Sequence, residues 1–181
     1  MLSDNDKLKK VLDARSRLID DLDRCVLTKK QFQDENYRIL TRYQMKPYAV
    51  IETPEQGIYN YQFYNTMAKE YQRRLQCAQH RKKASLEQAV RNYFCLKDDC
   101  IRQMLHLCAH EPVEAYLVHA ASAGMKNRLL EIVFLRREKV ILHTLNPKIL
   151  SQVRRMGIFR PQVRVSLINN YVNSQNEEVA T

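Results

Sequence analysis

The chain has 181 residues, 45% hydrophobic and 28% charged, with three glycines, five prolines and no tryptophan. A chain of that length buries its own core without disulfide or metal staples, and this composition excludes collagen-like, low-complexity and disordered classes. So few glycines argue against phosphate-cradling loop enzymes, and the formal charge of +10 favours polyanionic partners.

Residues 4–26 space Leu8, Val11, Leu12, Leu18, Ile19, Leu22 and Val26 at helical intervals, leaving aspartates and lysines for the other face. Thr28 with Gln31 forms a capping box, and Phe32, Ile39, Leu40 and Tyr43 make the apolar stripe of a second helix that Pro47 is expected to end. The third helix has the strongest start: Thr53 as N-cap, Pro54 at the first helical position, Glu55 near the dipole and Gln56 completing a box. Gly57 weakens that first turn. The seam of the helix is Tyr61, Tyr64, Ala68, Tyr71, Leu75 and Ala78.

The run His80-Arg81-Lys82-Lys83 reads as a solvent-facing break before a fourth helix capped by Ser85 and Gln88, with Leu86, Ala89, Val90, Tyr93 and Phe94 on its buried side. Lys97-Asp98-Asp99 is expected to bend or restart it before Ile101, Met104, Leu105 and Cys108. Helices three and four form an antiparallel hairpin like one tetratricopeptide pair, but with no second copy there is no solenoid.

The pattern changes at Pro112. Runs at 113–118, 129–135 and 140–144 are rich in branched and aromatic residues and predict a three-stranded antiparallel meander, its middle strand central because both pleat faces are apolar apart from Glu131. Asn146 and Pro147 open a short helix ending near Gly157, and Pro161 opens a final one. The expected fold is α+β: a helical region over 1–111, a β-β-β-α-α region over 112–173 packed on it as one unit, and a frayed tail over 174–181.

Glu131 draws attention because a carboxylate inside a central strand needs a cation or hydrogen bonds. His143, His119, Lys126 or Arg128 could meet it, as an acid–base site or as a structural ion pair. Cys100, His106, Cys108 and His110 are zinc-ligand types at spacings that match no zinc motif, and the cysteines fit as small apolar fillers; no metal or cofactor is expected. In the tyrosine-rich segment Tyr59 and Phe63 lie off the seam and are candidates for exposed contact with a protein partner or a second copy, unless they pack on helix two.

Ten basic and two acidic residues lie between positions 123 and 170, whereas residues 1–56 carry eleven and ten. Arg136, Arg137, Lys139, Arg154, Arg155, Arg160 and Arg164 are the candidate polyanion-binding set, arginine favouring bidentate phosphate contact. No sequence-reading motif accompanies them, so nucleic acid would be gripped by its backbone without sequence specificity. A helical interaction module built on the tyrosine-rich hairpin is the alternative, and an enzyme using Glu131 and His143 the third. Five cysteines, an odd number without a CxxC pair, and an N-terminus unlike a signal peptide predict reduced thiols in the cytoplasm; no run is apolar enough for membrane insertion.

The segment Gly57-Ile58-Tyr59-Asn60-Tyr61-Gln62-Phe63-Tyr64-Asn65, with Leu96-Lys97-Asp98, Glu131-Ile132-Val133 and Ile141-Leu142-His143, resembles a small family of uncharacterised proteins from anaerobic Gram-positive bacteria. The resemblance implies a bacterial cytosolic protein and assigns no activity or functional residues.

Overall fold

The computed structural model describes residues 3–117, 132–137 and 139–144. Four helices precede a three-stranded antiparallel sheet, the α+β arrangement expected. The chain divides into two compact units, Met1–Leu107 and Cys108–Thr181. The two C-terminal helices and the tail read from the sequence lie outside the described residues.

Helix α1 spans Asp4–Asp23, started by Ser3, whose hydroxyl accepts the Asp6 N–H, with Asp4 and Asp6 complementing the dipole. It stops earlier than its apolar spacing suggests. Cys25 adopts a left-handed conformation (φ 59°), so Val26, expected in the buried stripe, is 68% exposed. Helix α2 covers Lys29–Arg42 and its capping box is complete: Thr28 Oγ1 accepts the Gln31 N–H and Gln31 Oε1 accepts the Thr28 N–H. Pro47 does not end it. The left-handed Gln44 (φ 49°), just beyond the C-cap Tyr43, turns the chain out before the proline is reached.

Helix α3, Pro54–Gln76, begins on Thr53 as expected, but the Gln56 side chain reaches one residue further back, to the Glu52 N–H at 2.8 Å, instead of closing a box on Thr53. Helix α4 runs unbroken from His80 to Leu107. The expected break at His80–Lys83 is its exposed first turn, because Arg and Lys are good helix formers that need no partner on an exposed face. Nor does Lys97-Asp98-Asp99 interrupt it: the Lys97 ammonium lies over the rings of Phe94 and Tyr61 at 4.9 and 5.5 Å, and Asp99 pairs with Arg102 one turn on at 2.6 Å.

In this unit Leu8 and Val11 of α1, Leu40 of α2, Met45, and Tyr59 of α3 form a core cluster, flanked by Ile39, Tyr48 and Phe63. Cys100, Ile101 and Met104 of α4 are also buried, whereas Leu86, Ala89, Val90, Tyr93 and Phe94 are only half-buried. The α3–α4 hairpin closes through tyrosine rings, Tyr71 on Tyr93 at 5.4 Å and Tyr64 on Tyr93 at 6.5 Å.

In the second unit β1 (Glu114–Leu117), β2 (Ile132–Arg136) and β3 (Lys139–His143) pair antiparallel in sequence order, with β2 central. Ile132, Val133, Phe134 and Leu135 are all buried, so both faces of β2 are covered, and a register shift falls between Phe134 and Leu135.

Candidate anion-binding groove and cationic surfaces

Two arrangements of basic residues stand out. The first is at the β2–β3 end, where the register sets Arg136 opposite Lys139 and the exposed Arg137 takes a left-handed backbone (φ 48°). A left-handed arginine costs roughly 1 kcal/mol. Three of the seven cations proposed from sequence are therefore at one hairpin end. Arg154, Arg155, Arg160 and Arg164 lie outside the described residues. Glu131 and His119, with Lys126 and Arg128, also lie outside them, while His143 is half-buried on β3 opposite Val133.

The second arrangement was not legible as a site in the sequence. A groove of about 790 Å³ is lined by α1, α2 and α3, with Arg15, Lys30, Asn36, Thr66, Lys69 and Glu70 on its wall. A polar line ties the three helices together. Arg15 Nη1–H donates to Asn36 Oδ1, and the Asn36 amide donates to the Thr66 hydroxyl at 2.5 Å, with Asn36 and Thr66 both buried. Arg15 Nε is out of solvent without an acceptor. Its guanidinium stacks over Phe32 at 5.7 Å, and burial pulls its pKa down to about 10. Lys69 is lowered as well, by desolvation first and then by repulsion from Arg15.

The carboxylates nearby are differently engaged. Glu70 accepts from Arg73 at 3.0 Å and from Arg74 at 2.9 Å, and these bonds hold its carboxyl below the usual range. Arg38 is matched by Glu35 at 2.5 Å.

Tyr59, expected to be an exposed contact, is completely buried. Its hydroxyl donates to the Met45 carbonyl at 2.9 Å, and its ring packs against Tyr48 and Phe63. The second helix and the following loop wrap this end of α3, so its off-seam face is inside as well; Phe63 is half-buried against the same cluster. Tyr59 is therefore not a surface contact, whereas Phe63 keeps part of its surface exposed. Cys100 is also internal, donating its S–H to the Gly57 carbonyl at 3.2 Å. Among the described residues no group of three His, Cys, Asp or Glu side chains is placed to hold a metal ion.

A family model for proteins of unknown function, DUF6648, matches residues 1–176. The chain belongs to this family. No curated protein and no solved structure matches it. The family is an uncharacterised one, as the resemblance implied. In this DUF6648 protein all five cysteines are free; Cys25, Cys77 and Cys95 are exposed, whereas burial pushes the Cys100 thiol up to about 12 and that of Cys108 to about 11. Because the thiolate is the nucleophile, iodoacetamide at mildly alkaline pH should alkylate the three exposed thiols of the folded protein at least ~100-fold faster than Cys100. Peptide mass mapping against time measures this, and equal rates would mean that the α3–α4 interface opens freely. Among the described residues no helix is long and apolar enough to cross a membrane.

Proposed function

We propose that this DUF6648 protein is a non-enzymatic binding protein for nucleic-acid backbone. The contact surface is cationic and includes Arg136, Arg137 and Lys139, with Arg154, Arg155, Arg160 and Arg164 completing the set. The observation that carries this reading is the gathering of Arg136, the exposed Arg137 and the exposed Lys139 at one end of the β2–β3 hairpin, where a phosphate backbone would find several cations together. A second cationic run supports it: Arg81, Lys82 and Lys83 are exposed in the first turn of α4, which holds no acidic residue, although cations oppose the helix dipole at that end. The cytoplasmic address belongs to the same proposal, and the five free thiols support it.

The test is fluorescence anisotropy with random-sequence duplex and single-stranded oligonucleotides. Seven phosphate contacts predict a log–log salt slope near −6 on duplex, hence a loss of roughly three to four powers of ten in affinity between about 50 and 200 mM salt. In the Arg137→Ala/Lys139→Ala variant the slope should become shallower by about 2, with folding stability kept because both side chains are exposed. Absence of binding at the lower salt, or binding indifferent to salt, overturns the reading.

A further inference from the structure

The groove lined by α1, α2 and α3 poses a separate question, because the half-buried Arg15 on its wall has no carboxylate paired with it among the described residues. Such a charge is normally paired or removed. On the wall Arg38 is matched by Glu35 and Glu70 lies between Arg73 and Arg74, which leaves Asp34 against Arg15, Lys30 and Lys69 and a surplus of at least two positive charges. The surplus matches a dianion.

Stereochemistry narrows the ligand further. With Nη1 committed to Asn36 and Nε out of solvent, the guanidinium has Nη2 left to offer an anion in the groove. Stacking on Phe32 and the Asn36–Thr66 hydrogen bond hold the guanidinium in place. A terminal phosphate carries the two negative charges that the surplus calls for, where a single carboxylate carries one. The remaining volume, about 790 Å³ in all, is that of a small-molecule site.

We propose that this groove binds a phosphorylated small molecule, its phosphate held by Nη2 of the Arg15 guanidinium with the Lys69 ammonium alongside. This binding does not depend on the proposed nucleic-acid contact of Arg136, Arg137 and Lys139.

The Nε–H resonance of Arg15, on the same guanidinium, reports on it, since a donor shielded from solvent exchanges slowly enough to be seen by nitrogen-15 NMR. The full chain is titrated with inorganic phosphate to about 20 mM at constant ionic strength. The resonance should shift and saturate with phosphate, and stay still when chloride replaces it. In Lys69→Gln, a change at an exposed position, the same titration should need about tenfold more phosphate, the size of one lost charge-assisted contact. The Arg137→Ala/Lys139→Ala variant should titrate like the parent, so this site and the surface fail or hold separately. Arg15→Lys identifies the resonance by its disappearance; should that variant not fold, through-bond correlation in the parent assigns it. An Nε–H indifferent to phosphate, a larger response to acetate than to phosphate, or an unchanged midpoint in Lys69→Gln overturns the proposal.

Discussion

Replacing Tyr59 by alanine should remove about 4 kcal/mol of folding stability, the scale for deleting a fully enclosed aromatic side chain. The ring has no exposed surface and sits edge-on to Tyr48 at 6.1 Å and tilted to Phe63 at 6.1 Å, inside the cluster that Leu8, Val11, Leu40 and Met45 complete. Its loss opens a cavity lined from α1, α2 and α3 at once, so no single element can relax into it. The hydroxyl contributes separately. Burial pushes its pKa up to about 12, so it stays a neutral donor to the Met45 carbonyl. Tyr59→Phe should therefore cost about 1–2 kcal/mol, by leaving that carbonyl unpaired. Urea denaturation followed by circular dichroism gives both values. A Tyr59→Ala loss below about 1 kcal/mol would mean that the ring is a surface group after all.

That a candidate for exposed contact should instead anchor the core says where sequence reasoning reached and where it stopped. Helix starts were legible because their chemistry is local: Thr28 with Gln31, and Thr53 with Pro54, fall within four residues of each other. The central position of β2 was legible because a strand covered on both faces reads as an unbroken apolar run. The face of α3 was not, because Tyr59, Asn60, Tyr61 and Gln62 are all buried and its early turns have no solvent side for periodicity to reveal. Asn60 is a polar residue inside for a particular reason. Its side chain accepts the Tyr48 N–H at 2.9 Å and donates to the Tyr48 carbonyl at 2.8 Å, standing in for the strand partner that the loop after α2 lacks.

The Arg15 groove escaped sequence reading for another reason. Arg15, Asn36 and Thr66 lie 21 and 30 residues apart along the hydrogen-bonded line, and an arginine in a segment with aspartates at Asp13 and Asp20 reads as one half of a surface pair. Counting charge by segment hides it further, since residues 1–56 are nearly balanced. Local charge balance does not determine whether a guanidinium is paired once the chain is folded; the geometry of α1 against α2 and α3 does.

Gly57→Val is expected to destabilise the protein by about 3 kcal/mol, at the upper end for forcing atoms into a packed interior. On sequence alone the glycine is a weak point of α3, worth about 1 kcal/mol less than alanine in a helix. In the structure a Cβ there would sit 2.5 Å from Met104 Cγ, 2.7 Å from Met104 Sδ and 3.3 Å from Ile51 Cγ2. Met104 and Ile51 are themselves buried, so neither side chain has solvent to swing into. The backbones cannot part without also breaking the Cys100 S–H bond to the Gly57 carbonyl. For Gly57→Ala the helix-propensity gain of about 1 kcal/mol offsets part of the overpacking, leaving a net loss of about 1 kcal/mol. The contact with Met104 can be isolated by a double-mutant cycle. Met104→Ala alone should cost about 2–5 kcal/mol through its cavity, and in that background Gly57→Ala should turn neutral or stabilising, a coupling of more than about 1 kcal/mol. Additive losses would place the clash elsewhere. Coupling would mean that the missing side chain of residue 57 is what lets α4 approach α3 closely enough to bury Cys100, Ile101 and Met104.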